Sequence, residues 1–543
     1  MIGQRTYGLL VAAALFLTAC PSEPPSPPDD APKLILLIVV DQLGADHLAR
    51  FDDVFEGGFR RLLDEGVWFR EARHAHARTL TAPGHATVST GCHPSGHGII
   101  SNYWIDRETG EQVYSVGDER HELAPTRLEC STLGDWIKER YPASRVFSLS
   151  GKDRSAILLA GRRADGAYWY DWEGTFTSSS YYRESEPSWL EELNAEGFLE
   201  SKFGEVWNPL PFEPEVLAGM GVVGYELGPL EEDFPHTIGG LSLVPGEYYF
   251  EEVFDSPWLD EYILRLARGV VTAEELGQDQ FPDLLAIGFS TSDAVGHGHG
   301  PDSREFFDIL VRLDRQLGSF FDWLDETVGM DNVAIALTSD HGSVPLPEMR
   351  LEQGLPGGRV GSGEIGCMQR VDAALDQEFG EARWFERGPF FAPLPADSAV
   401  SANELHQRAR LLLEACPSVS RVWLAEDLGS ESIGDRGEDA DEMQLSFARS
   451  FFAGRSPDLL VQWDEYFLAS AGNASSHGTP HRYDTHVPLV FWRAGRTPEI
   501  RSTPVRTVDI APTLATWLGI EPPQGIAGRS LALPKTSGNP SAR

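Results

Sequence analysis

Residues 34 to 40 read Leu-Ile-Leu-Leu-Ile-Val-Val, an apolar run with no polar break. A strand with one wet face would alternate, so this run predicts a strand buried on both faces, as in a parallel sheet covered by helices. The pattern recurs. Leu284 to Phe289 ends at Ser290-Thr291-Ser292-Asp293, Val333 to Leu337 ends at Thr338-Ser339-Asp340-His341-Gly342, and Val487 to Trp492 follows Asp484-Thr485-His486. In the first three runs an acidic residue stands just past the strand: Asp41, Asp293 or Asp340. Open parallel sheets place their ligands at that edge. Between two of the runs, Phe306, Ile309, Leu310, Leu313, Leu317, Phe320, Phe321 and Leu324 repeat at helical spacing, with Ser303 placed to cap the helix. The rhythm predicts an α/β fold, a mostly parallel central sheet flanked by helices. Thr507 to Leu514 opens a further amphipathic helix. Residues of about 166–280 and about 345–472 break the rhythm and read as insertions that cap the pocket mouth.

The N-terminus carries a separate signal. Arg5 precedes an apolar run, Leu9 to Leu17, that is too short for an ordinary membrane span. Leu17-Thr18-Ala19-Cys20 resembles a bacterial lipobox, which implies removal of residues 1–19, acylation of Cys20, and lipid anchoring in the cell envelope after export. Residues 20–33, rich in Pro, Ser and Asp, read as a tether. The main domain is expected over 34–535, with a tail at 536–543. Cys92, Cys130, Cys367 and Cys416 remain, enough for two disulfides in any of three pairings. The formal charge of −39 argues against nucleic acid as a partner. An anionic substrate therefore needs a local positive site.

Asp41, Asp293, Asp340, His297, His341 and His486 supply three carboxylates and three imidazoles on strand-end loops of one sheet. That donor set suits Zn²⁺, and two such ions can clamp the attacking and leaving oxygens of a phosphoryl transfer. Together with Thr81-Ala82-Pro83-Gly84-His85 and Thr90-Gly91-x-His93-Pro94-x-x-His97-Gly98-Ile99, this pattern resembles the alkaline phosphatase superfamily. It looks most similar to the branch of PafA-type alkaline phosphatases and nucleotide pyrophosphatases/phosphodiesterases, from Leu34 to Leu531. The resemblance implies an alkaline-phosphatase-like sheet. It also implies two Zn²⁺, one held by Asp293, His297 and His486, the other by Asp41, Asp340, His341 and the Thr81 oxygen.

By the same resemblance Thr81 is the nucleophile, since it stands directly before x-Pro-Gly-His; Thr79 is the rival. Coordination by zinc lowers the pKa of a bound oxygen, from about 15.7 to about 7 for water, which would make an alcohol reactive. Cys92-His93-Pro94-Ser95-Gly96 superficially resembles a sulfatase motif, but Gly96 replaces the needed Arg, and Cys92 reads as a buried or disulfide cysteine. Lys152 and Arg154, in Gly151-Lys152-Asp153-Arg154, resemble the PafA-type pair that contacts the transferred phosphoryl group, and Asn102 matches its phosphoryl-binding asparagine. Formal charges of two Zn²⁺, Lys152 and Arg154, set against three aspartates and a Thr81 alkoxide, leave a positive balance suited to a dianionic monoester. The expectation is a monoester hydrolase acting through a phosphothreonine on small phosphate esters. A diesterase or nucleotide pyrophosphatase on the same scaffold is the alternative, and a non-catalytic binding lipoprotein a more distant one. The expected state is a monomer or weak oligomer, touching the membrane only through its lipid.

Overall fold

The computed structural model describes residues 26–223, 234–240, 242–359, 362–382, 384, 401–429, 441–468 and 473–534. A nine-stranded sheet forms its centre. The strands are β1 (Leu34–Val40), β2 (Val67–Phe69), β3 (Val146–Ser150), β4 (Gly166–Tyr170), β5 (Phe176–Thr177), β6 (Asp283–Phe289), β7 (Val333–Thr338), β8 (Leu489–Arg493) and β9 (Glu499–Arg501). Their order across the sheet is β5-β4-β3-β6-β1-β7-β8-β2-β9. β5 and β8 run against the others, so the sheet is mostly parallel. Five helices matter below: α1 (Thr81–Thr90), α2 (Asp153–Ala160), α3 (Thr291–His299), α4 (Arg304–Thr327) and α5 (Ile510–Trp517).

The unbroken apolar run explains the place of β1 at the middle. Leu34, Leu36, Ile38 and Val40 enter the core on one face, with Phe306, Ile309, Leu313, Leu317 and Phe320 of α4. Ile35, Leu37 and Val39 enter the opposite layer, with Ile510 and Leu514 of α5. Alternate side chains of a strand point to opposite faces, so both layers need apolar residues. Ser303 caps α4 as its position suggested: its Oγ accepts the Phe306 N–H at 3.1 Å.

The two segments read as insertions differ in kind. Residues 166–280 begin with β4 and β5, which extend the central sheet, and their helix Pro257–Ala273 sends Leu259, Ile263, Leu266 and Val270 into the main core. Residues 345–472 build a core of their own. There the strands Val419–Leu424 and Leu459–Trp463 pair beside the helix Ala402–Glu414, around Val371, Leu375, Leu405, Leu413 and Val422. A Cys367–Cys416 disulfide staples this unit, and Cys92 pairs with Cys130. Cys20 and residues 1–19 lie outside the described residues, as does the tail at 536–543. Among the described residues no helix is long and apolar enough to cross a membrane.

Candidate active site

The register of the sheet brings three strand ends together. Val40 pairs with Phe289 and Val39 with Thr338, so Asp41, the start of α3 and Asp340 emerge side by side. The chain turns sharply after Asp41: Gln42 adopts a left-handed φ of 66°, and its N–H donates to Asp340 Oδ1 at 3.2 Å. Ser292 Oγ donates to the Asp41 carbonyl at 2.6 Å and fixes the entry of α3. Asp293 and His297 lie one turn apart on that helix and share a face.

Two donor groups result, one fully buried and one with partly exposed histidines. Asp41, Asp340 and His341 form one; Asp293, His297 and His477 form the other; within each, the ligand atoms lie within 4.8 Å of one another. His341 Nε2 is 3.4 Å from Asp41 Oδ1 and 3.3 Å from Asp340 Oδ2. His297 Nε2 and His477 Nε2 are 3.3 and 3.5 Å from Asp293 Oδ1. The His341 and His477 rings stack with centroids 3.5 Å apart, so the groups are neighbours.

Each imidazole is set up as a ligand by its other nitrogen. Nδ1 of His297, His341 and His477 faces the carbonyl of Ser475, Gly342 and Thr79 at 2.9, 3.0 and 2.8 Å. A carbonyl only accepts, so Nδ1 carries the proton and a neutral ring presents the Nε2 lone pair inward. Burial keeps His341 and His477 below the usual imidazole range, in that neutral form. Asp41 Oδ1, Asp293 Oδ1 and His341 Nε2 are buried without a hydrogen-bond partner. Buried polar atoms are rarely left so, and inward-facing acceptors of this kind fit divalent cations. Burial, then Asp293 and Asp340, push the Asp41 carboxyl up. Asp41, Asp293 and Asp340 thus place three carboxylates in one pocket.

Lys152, at the start of α2, supplies the local cation. Its Nζ donates to Asp41 Oδ2 and Asp293 Oδ2, each at 2.5 Å, and so bridges the two groups. Burial opposes its charge, but Asp293 and Asp41 outweigh it and hold the ammonium above its ordinary pKa. Arg154, one α-helical half-turn on, directs Nη1 towards Tyr114 Oη at 3.5 Å.

Thr81 opens α1 and is buried. Two neighbours tie it to the donor groups. The His85 Nδ1 lies 2.9 Å from the Thr81 carbonyl and 3.2 Å from Asp340 Oδ2. The His477 ring bonds to the carbonyl of Thr79, two residues before it. Helix α1 packs so tightly here that a Cβ at Gly84 would meet the Asp340 carbonyl oxygen at 2.3 Å, so only glycine fits. Asn102 Oδ1 accepts the Ala82 N–H at 2.9 Å, which ties this asparagine to the residue after Thr81. The hydroxyl of Thr79 donates to the Thr479 carbonyl at 2.9 Å, a structural use.

Asp41, Asp293, His297, Asp340 and His341 are thus brought together. His486 is not. It stands at the correct edge, because antiparallel β8 starts where β7 ends, with Thr338 opposite Leu489. Its ring, however, turns away: Nε2 faces the Arg70 carbonyl at 2.7 Å and Nδ1 faces Asp46 at 3.6 Å. A ring whose Nε2 proton is given to a carbonyl has no lone pair there for a metal. His477 takes the place expected of His486. It sits in a loop and does not directly follow a strand of the central sheet, so strand-end logic misses it; the usable signal is His477-Gly478, repeating His341-Gly342. His85 was likewise not assigned a role from sequence.

Comparison with known proteins adds three findings. Residues 35–450 match the family described as type I phosphodiesterase / nucleotide pyrophosphatase. The chain is 31% identical to alkaline phosphatase PhoK of Sphingomonas sp, covering 92% of this chain and 91% of that one. It is 30% identical to alkaline phosphatase PhoV of Synechococcus elongatus, covering 92% of each. The crystal structure of wild-type alkaline phosphatase PafA superposes with a TM-score of 0.82 at 27% identity, covering 92% of this chain and 98% of that one. Another PafA structure carries substitutions at a threonine, an asparagine, a lysine and an arginine.

Proposed function

This chain belongs to the type I phosphodiesterase / nucleotide pyrophosphatase family, and from that premise we propose that it is an alkaline phosphatase, a metal-dependent phosphoric monoester hydrolase with Thr81 as nucleophile. The relatives that match along nearly the whole chain carry the name alkaline phosphatase. The observation that carries the reading is Lys152 Nζ bridging Asp41 and Asp293, one carboxylate from each donor group. A fixed ammonium there adds positive charge where a dianionic phosphoryl group would sit. The four residue types substituted in the PafA variant are those of Thr81, Asn102, Lys152 and Arg154.

Asp293, His297 and His477 would hold one Zn²⁺, and Asp41, Asp340 and His341 the other, with the Thr81 oxygen beside it. Bound there, the two cations would supply Lewis acidity at the attacking and leaving oxygens and lower the pKa of the alcohol. Thr81 Oγ attacks phosphorus in line and becomes a phosphothreonine, which water then hydrolyses with net retention. Lys152, Arg154 and the Asn102 amide hold the equatorial oxygens, where charge gathers in a loose transition state. His85 positions Thr81 by joining its carbonyl to Asp340.

The family description favours one second reading, a diesterase or nucleotide pyrophosphatase on the same residues. Turnover of p-nitrophenyl phosphate against its bis ester separates the two. A strong diester preference would reverse the choice. We also propose that the chain is exported and anchored through a lipid on Cys20, and that two disulfides outside the site, Cys92–Cys130 and Cys367–Cys416, suit such an oxidising compartment.

A further inference from the structure

A third convergence of metal-ligating side chains lies away from the catalytic residues. His236, His299 and Glu305 place their ligand atoms within 4.8 Å of one another. His236 Nε2 is 3.1 Å from Glu305 Oε1, and His299 Nδ1 is 4.0 Å from Glu305 Oε2. The two imidazoles face each other with centroids 5.3 Å apart. Glu305 is only 5% exposed at its side chain, and its ion pairs among the described residues are both with these imidazoles. A buried carboxylate is costly unless a full positive charge meets it, which a bound divalent cation would supply.

The three residues come from separate parts of the fold. His299 ends α3, whose Asp293 and His297 belong to the catalytic group. At 3.6 residues per turn, His299 projects about 200° around the helix axis from His297, on the opposite side. Glu305 stands in the first turn of α4. His236 comes from the short strand His236–Thr237, which pairs with Val206–Trp207 in the 166–280 segment. That segment also reaches the α3–α4 turn through the Val223 N–H, which donates to the Asp302 carbonyl at 2.9 Å.

We propose that His236, His299 and Glu305 form a third metal site, distinct from the catalytic pair, which takes a zinc-type divalent cation and clamps the end of α3 to the 166–280 segment. Two imidazoles and one carboxylate are a donor set that Zn²⁺ accepts, with water completing the tetrahedron. The imidazoles are 17% and 22% exposed at their side chains, which gives that water access. The clamp steadies the helix that presents Asp293 and His297, so its effect falls on stability rather than on chemistry. The inference does not depend on which ester the active site hydrolyses.

The test uses full-length protein loaded with Zn²⁺ and dialysed against metal-free buffer. Glu305→Gln and His299→Asn are each expected to hold about one equivalent of zinc fewer than the parent. They should retain p-nitrophenyl phosphate turnover at 25 °C and melt at a lower temperature. Equal zinc content in parent and variants overturns the proposal, leaving a plain histidine–glutamate ion pair. Should the variants fail to fold, anomalous diffraction from the parent at the zinc edge decides alone. A peak between the three side chains supports the site; its absence there, with peaks at the catalytic groups, refutes it without touching the active-site reading.

Discussion

Replacing Lys152 by alanine separates the two ester classes by charge. The side chain is 6% exposed, so solvent screens it weakly. At an effective dielectric constant of about 20, a unit charge about 4 Å away is worth about 4 kcal/mol, and a charge-assisted hydrogen bond contributes about 1.5–3 kcal/mol net. Taking about 3 kcal/mol for a dianionic monoester predicts a loss of ~10²-fold in kcat/KM, at about 1.4 kcal/mol per factor of ten. A diester carries half the charge, so its loss should be nearer ~10-fold, and the monoester-to-diester ratio should fall by about an order of magnitude. The assay is kcat/KM for p-nitrophenyl phosphate and for bis(p-nitrophenyl) phosphate on parent and Lys152→Ala. Zinc content must be measured in parallel, because Lys152 also contacts Asp41 and Asp293. If metal is retained and the ratio does not move, Lys152 is a structural counter-ion of the two aspartates and the electrostatic argument for a monoesterase fails.

Thr81→Ala should keep both metal equivalents yet lose nearly all turnover; full activity in that variant refutes the nucleophile assignment. His477→Asn should lose one metal equivalent while His486→Asn keeps both, and the reverse outcome by metal analysis would reinstate His486 as the ligand. Asp260 is 2% exposed, and burial pushes its carboxyl up to about 7, against the pull of the Thr291 hydroxyl at 2.9 Å. The folded state then keeps a proton that the unfolded chain releases, so folding stability falls as pH rises from about 4 to about 7, by as much as about 4 kcal/mol. Asp260→Asn should therefore raise Tm relative to the parent at pH 8 and not at pH 4; an equal shift at both pH values contradicts this. Cys20→Ser should move the protein from the detergent phase to the aqueous phase in a Triton X-114 partition, and continued detergent partitioning excludes the lipid at Cys20.

The features legible in the sequence were those carried by short-range pattern. The apolar run of β1 announced a doubly covered strand, and both of its faces are indeed filled, by Phe306 and Leu313 on one side and Leu514 on the other. Asp41, Asp293 and Asp340 follow such strands, and their convergence came from the sheet register alone. His486 shows the limit of that logic. A strand end fixes where a backbone emerges, but not which way a ring turns, and the Arg70 carbonyl turns this one outward. His477 was hidden for the complementary reason: its position depends on a bond to the Thr79 carbonyl nearly 400 residues earlier in the chain. The 166–280 segment was dense in aromatic and turn residues, which masked the short strands β4 and β5 that complete the sheet.

The acidic balance of the whole chain and the chemistry of its pocket reconcile once the order of binding is considered. Asp41, Asp293 and Asp340 present three carboxylates, with Lys152 as the one ammonium that bridges two of them. A phosphate dianion approaching that arrangement meets an excess of like charge inside a net −39 protein. On the proposed reading, two divalent cations on the six inward donors would reverse the sign and give the aspartates partners other than Lys152. The ammonium would then be available to the anion. Metal loading is then expected to precede substrate binding in this pocket, and the surface charge, screened over about 8–10 Å at physiological ionic strength, has little say inside it.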